Sequence, residues 1–183
     1  MRTLLAGLAA GIAMFIWSSI AHVATPLGTI GISTLPDESV TVDNLASAIG
    51  GKGGLYLFPM PSGGSAPSSS AATAPGGFLV FNPRSATSMA PRNLIVEFLT
   101  ELAEGLIAAW LLSQTALLGF AARVGFVTAV GLAAAITTNV PYLNWYSFPL
   151  DYTLAYGFIE LASYFFAGLV LAAILKPTAT PST

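Results

Sequence analysis

Four runs of mostly apolar residues, each about 20 residues long, dominate this chain, and that is the length a helix needs to cross the hydrocarbon core of a bilayer. They lie at about 3–24, 93–112, 120–140 and 150–175. Charged residues make up only 8% of the 183, against about a quarter in an ordinary globular chain. A water-facing surface cannot be assembled from so few charges. The expected fold class is therefore all-α integral membrane: a four-transmembrane-helix bundle forming a single membrane domain over 1–183, with a small extracytoplasmic cap. The second and third runs are joined by a few residues around Ser113 to Leu118, which predicts an antiparallel helical hairpin.

The first run has a competing reading as a cleaved signal peptide. Arg2 supplies a minimal positive start, and Ser19-Ile20-Ala21 is a small-x-small site. The run exceeds the roughly 7–15 residues of a signal-peptide core, however, and Trp17 interrupts it, so a retained helix is expected. Positive charge near span ends sets orientation. With both termini cytoplasmic, Arg2, Arg123 and Lys176 fall inside, while the connection Pro141 to Pro149, free of Lys and Arg, falls outside. Arg84 and Arg92 oppose this arrangement, but they belong to a loop long enough to translocate largely regardless of charge. Tyr142, Trp145, Tyr146 and Phe148 suit the outer interface, where amphipathic rings collect.

Three glutamates interrupt the second run. At about 100° per residue, Glu101 lies roughly 40° from Glu97 and Glu104 roughly 20° to the other side, so they form one narrow stripe. Helical rise places Glu104 about 10 Å deeper than Glu97. The fourth run repeats the theme, with Tyr152, Tyr156, Glu160 and Ser163 on one face; His22 and Ser18 are a turn apart in the first. An ionised carboxylate at the centre of a span costs about 2.5–3.5 kcal/mol, so these acids must meet a proton, a cation or a partner group. The candidate intramembrane site is Glu97, Glu101, Glu104, Glu160, His22 and Tyr156, with Arg92 as an ionic partner at its mouth. Its functional readings are a proton relay, a cation site or contact with a bound ligand such as a quinone headgroup. The alternative is a set of interhelical hydrogen bonds.

Small residues recur four apart: Gly7 and Gly11, Gly105 and Ala109, Gly131 and Ala135, Ser163 and Ala167. Such pairs let helix backbones approach closely in lipid, and they predict a compact bundle. In the long connection 25–92, Pro36-Asp37-Glu38 reads as a helix start. Val42, Leu45, Ala46 and Ile49 continue a one-faced amphipathic helix that Gly50-Gly51 stops. Its lack of basic residues favours packing on the bundle over lying on a membrane surface. Leu55 to Phe58 and Phe78 to Phe81 read as a β-hairpin around a flexible linker, 62–77. The tail 177–183 reads as disordered.

Several chemistries are excluded. With no cysteine there is no disulfide, thiolate metal site or Cys nucleophile, and a single histidine rules out a multi-imidazole zinc site. The acids lack the Glu-x-x-His pairs of a di-iron bundle. Gly50 to Gly54 and Gly63-Gly64 lack the Lys-Ser/Thr of a phosphate loop. Ser68 to Ser70 have no neighbouring base. A net charge of −2 gives no basic face for nucleic acid. No catalytic residue and no metal ligand set is therefore expected, and no cofactor can be assigned.

The segments FIWSSIAHVATPLG, LPDE, GLYLFP and VPYLNWYSFP together resemble small bacterial membrane proteins of about this length, with four spans and a long first extracytoplasmic loop. The resemblance implies no activity and carries over no site residue; the Ala- and Gly-rich composition suits a bacterial inner membrane. The expected function is a non-enzymatic accessory or structural subunit of a larger membrane complex, partnered by lipid and by other membrane subunits or further copies of itself. The alternative is a small proton- or cation-binding or transport protein using the glutamates.

Overall fold

The computed structural model describes residues 1–59, 75–83 and 90–175. Arg84, Lys176, nearly all of the linker 62–77 and the tail 177–183 lie outside the described residues. The chain is mostly helical. Helix α1, Arg2–Ser19, continues into a wider π-helical turn, Ile20–Ala24, and is followed by a short 3-10 turn, Pro26–Thr29. Then come α2 (Glu38–Ala48), strands β1 (Gly54–Phe58) and β2 (Gly77–Phe81), and three long helices: α3 (Pro91–Ser113), α4 (Phe120–Tyr146) and α5 (Leu150–Ile174). The chain divides into two compact units, Met1–Ile32 with Met89–Thr183, and Ser33–Ser88.

Among the described residues, α1 with its π turn, α4 and α5 are long and apolar enough to cross a membrane. Helix α3 matches them in length, at 23 residues, but does not join that class. Glu97, Glu101 and Glu104 fall within eight residues and give it more charge than the other three carry. By length and composition the structure thus supports three of the four expected spans.

Several ends of the long helices have a visible cause. Pro91 occupies the first position of α3, where its missing N–H is no loss. Helix α4 runs through Pro141 and stops at Ser147, whose backbone is left-handed (φ 56°); the Phe148 N–H then returns to the Tyr142 carbonyl at 3.2 Å. At the start of α5 the Asp151 carboxylate accepts from the Tyr152 N–H at 2.9 Å.

Packing in the larger unit follows the small residues. Helix α1 packs on both α3 and α5, and α5 packs on α4, giving the order α3–α1–α5–α4. The expected hairpin of α3 against α4 is corrected here: these sequence neighbours touch little, because each has a better-fitting surface elsewhere. A Cβ on Gly7 would stand 2.8 Å from the Leu106 Cα, and one on Gly11 only 2.6 Å from the Glu101 carbonyl oxygen. A Cβ on Gly105 would collide with the backbone of both Gly7 and Gly11. Between α4 and α5, Gly131 lies directly under the Tyr164 side chain and Gly168 against Val124. The core along these contacts is built from small or slim side chains, Ala6, Ala10, Met14, Ala108, Ala109, Val127, Ala167 and Leu171. The Trp17 indole adds a polar tie, donating to the Ile159 carbonyl across α1 and α5 at 2.9 Å.

Arg123 is 5% exposed, although it stands in the first turn of α4. Its guanidinium donates to the carbonyls of Ala172 and Leu175 at the far end of α5. Those carbonyls have no intrahelical donor, and the end of a helix attracts positive charge, so Arg123 closes α5 from outside.

In the smaller unit, β1 and β2 pair antiparallel with Gly54 opposite Phe81 and Phe58 opposite Gly77, the expected hairpin. Helix α2 ends where Gly50 (φ 66°) and Gly51 (φ 63°) turn left-handed, with the Gly51 N–H on the Ala46 carbonyl at 2.7 Å. None of the residues of α2 is buried.

Two outcomes test this packing. Gly105→Val should destabilise the protein in detergent by about 1–3 kcal/mol or more, as overpacked contacts do. Gly157→Ala, where an added Cβ meets nothing within 4 Å, should be neutral or slightly stabilising. Thermal melting followed by tryptophan fluorescence distinguishes them. Arg123→Met should cost about 1.5–3 kcal/mol, the range for hydrogen bonds to charged groups, and speed hydrogen exchange in the last turn of α5, with partial recovery in Arg123→Lys.

Candidate functional site: a carboxylate cluster shared by four helices

The glycine contact that joins α1 to α3 also positions the first acid. Because Gly11 sits on the Glu101 backbone, the Glu101 side chain leaves α3 already enclosed, and the residue is 6% exposed. The buried Ser18 hydroxyl of α1 lies beside it. The second carboxyl oxygen, Oε2, has no hydrogen-bond partner and is the single buried side-chain polar atom in that state among the described residues. A buried polar oxygen without a donor forfeits its hydration with nothing in return, so its presence calls for an explanation.

One turn on, Glu104 is half-buried and faces the Tyr164 hydroxyl of α5. Tyr164 is 8% exposed and held from behind by Gly131 of α4. Glu160, one turn before Tyr164 on α5, is also half-buried. It accepts from the Asn139 amide at 3.1 Å and from the Thr138 hydroxyl at 3.4 Å, both on α4. Asn139 divides its amide between Glu160 and the Ala135 carbonyl, the latter at 3.0 Å. Glu101, Glu104 and Glu160 interact electrostatically with one another, and Glu97 adds its charge from the exposed end of the stripe. All four long helices therefore contribute: Ser18 from α1, the stripe from α3, Asn139 and Thr138 from α4, Glu160 and Tyr164 from α5.

The other expected members stand elsewhere. Arg92 is exposed in the first turn of α3, and among the described residues no ion pair joins it to Glu97. His22 and Tyr156 meet each other, with ring centroids 5.6 Å apart and edge to face. The His22 Nδ1 is 2.9 Å from the Ser18 carbonyl, and the Tyr156 hydroxyl donates to the Gly28 carbonyl at 3.2 Å. Tyr156 also stacks on Tyr152 at 4.2 Å, against which Gly31 (φ 75°) is pressed. This aromatic group pins the chain after α1 to the start of α5. Ser163, singled out with Glu160, is buried.

Tyr164, Asn139 and Thr138 are the members that sequence reasoning missed. Their signal was present: Tyr164 follows Glu160 by four residues and so shares its face. A tyrosine in an apolar helix reads as core, though, and nothing in the spacing says that its hydroxyl reaches another helix.

Chemically, the cluster pairs each of its three inner acids with neutral donors and supplies no cation. Among the described residues no group of three or more His, Cys, Asp and Glu could hold a metal ion. The arrangement suits the holding of charge or protons.

The isolated protein should respond unevenly to loss of these groups. Glu101→Gln removes a buried ionisable group with an unpartnered oxygen and should raise the melting temperature in detergent. Tyr164→Phe keeps the ring over Gly131 but strips Glu104 of its donor, and should lower stability by roughly 1–3 kcal/mol. Melting curves of the two variants, taken side by side, check both signs.

Comparison with protein-family models, with curated proteins and with solved structures gives no match.

Proposed function

We propose that this chain is a four-span integral membrane protein that serves as an accessory or structural subunit of a larger membrane assembly and performs no catalysis itself. In this reading α3 is the fourth span, both termini are cytoplasmic, segment 25–92 is extracytoplasmic, and the membrane is a bacterial inner membrane. One observation carries it: Glu97 is exposed while Glu104 and Glu160 are only half-buried. Lipid penalises carboxylates at such positions, so a protein surface has to cover them. The apolar side chains exposed along the long helices, among them Leu5, Trp110, Leu132 and Phe158, fit lipid or neighbouring subunits equally. The order α3–α1–α5–α4 leaves α3 and α4 each with one main neighbour, and so with free flanks. A second reading, a small proton- or cation-binding protein, is favoured by the orphaned Oε2 of Glu101 alone.

Purification of the tagged protein from its native membrane in a gentle detergent, followed by mass spectrometry, tests the proposal. Stoichiometric membrane companions, or a defined oligomer of this chain, are the expected result. A lone monomer retaining its fold would overturn the proposal and leave the second reading.

A further inference from the structure

We infer that the corner where α4 begins and α5 ends binds the phosphate of an anionic membrane lipid, one of whose acyl chains lies in the groove between the two helices. The inference requires α4 and α5 to cross a bilayer; it does not require the chain to be a subunit of a larger assembly.

The corner holds positive charge that the larger unit leaves unmatched. Arg123, 5% exposed, bonds to the Ala172 and Leu175 carbonyls through Nη1 alone. Its Nε and Nη2 have no partner among the described residues. They are not among the sealed polar atoms of the interior, so they open onto the surface beside the end of α5. No carboxylate of the larger unit stands at this end of the helices. Helices α1 and α4 contain no Asp or Glu. Glu160, the last acid of α5, precedes Ala172 by twelve residues, about 18 Å of helical rise. Glu104, the last acid of α3, comes nine residues before that helix ends at Ser113.

The backbone adds to this charge. The N–H groups of Phe120, Ala121 and Ala122, in the same turn as Arg123, have no intrahelical acceptor, and Gly119 at the cap position has no side chain to supply one. Such a helix start attracts anions through its free donors and its dipole. The Arg123 side chain leans toward that same end of its helix, as helical side chains do. A phosphate brings both the negative charge and the several acceptor oxygens that guanidinium and N–H donors take up.

An open groove of about 640 Å³ starts in this turn. It is lined by Phe120, Ala121, Gly125 and Leu132 of α4 and by Phe165 and Leu169 of α5. The one hydroxyl along it, on Thr128, is spent on the Val124 carbonyl at 2.9 Å, so the lining is apolar throughout. From Phe120 to Leu132 the groove follows twelve residues of helix, about 18 Å. One leaflet's acyl chains fill half of a hydrocarbon core about 30 Å thick, so the groove has the length of one such chain. A Cβ on Gly125 would meet nothing within 4 Å, which leaves room for it. A free phosphate would use the corner and leave the groove without a role. A lipid accounts for both, because its headgroup and chain are joined where the corner and the groove meet.

The test takes the full-length protein, purified in a mild detergent and washed free of lipid, and adds dioleoyl phosphatidylglycerol, dioleoyl phosphatidylcholine or sodium phosphate. Native mass spectrometry measures what stays bound, and melting curves measure the stabilisation. Phosphatidylglycerol should bind at least about fivefold more tightly than phosphatidylcholine, whose choline opposes the Arg123 charge, as befits one basic residue at an anionic headgroup. It should also raise the melting temperature, which phosphate alone should not do. Arg123→Met should weaken phosphatidylglycerol binding about tenfold, in keeping with the loss of charge-assisted hydrogen bonds. Gly125→Leu, which fills the groove and leaves Arg123 in place, should weaken it as well. Gly157→Leu, equally open but outside the groove, should leave it unchanged. Equal binding of the two lipids, stabilisation by phosphate as large as by lipid, or undiminished binding in Gly125→Leu would each overturn the inference. If Arg123→Met fails to fold, the two glycine variants still decide. A protein that stays dissolved without detergent would overturn the membrane reading as well.

Discussion

The larger unit depends on one contact, the meeting of α1 and α3 at Gly7, Gly11 and Gly105. In lipid no hydrophobic force drives two helices together; dispersion and backbone complementarity must do so, and both require close approach. Three glycines remove every Cβ that would hold the axes apart. The rest follows. Glu101 is enclosed because its own backbone is what Gly11 touches, and Ser18 is set beside it because it lies further along the same face of α1.

A second glycine plays the matching part on the other side. Gly131 lets Tyr164 lie flat against α4, and from there the phenol reaches Glu104 on α3, a helix that α5 otherwise scarcely meets. The polar network is thus suspended between two tight helix pairs. Its geometry is set by backbone contacts at some distance from the carboxyl groups, so the acids are held by packing rather than by one another.

Much of this could be read from the chain and some could not, for physical reasons. Most helix limits were legible, the run expected at 93–112 being α3 at Pro91–Ser113, but α4 was expected to end at 140 and instead runs through Pro141 to Tyr146, into what was read as the outer connection. The pairing of the two strand-like runs as a hairpin was equally near the surface of the sequence. Pairing of helices was not legible. Small residues four apart say that a face approaches something closely, but they do not name the partner, and a short connection misdirected α3 toward α4. The glutamate stripe was visible as a stripe, whereas its donors were not, since Tyr164 and Asn139 act across helices that are neighbours only in space. His22 and Tyr156 share the polar character of the acids, yet their hydrogen bonds go to the Ser18 carbonyl in α1 and the Gly28 carbonyl just beyond it. The fourth span is the point at which composition and length give different answers for one helix.

Arg123 bears on how the molecule is made. Helix α5 follows α4 in the chain, and its final carbonyls are satisfied by a guanidinium that α4 carries. Water or lipid headgroups would ordinarily serve that end, which ties a helix terminus to the level of the interface. With the donor carried by a neighbouring helix, the end of α5 needs neither of these. The end of α5 is thereby completed only where α4 is packed beside it, and the two helices terminate as one unit.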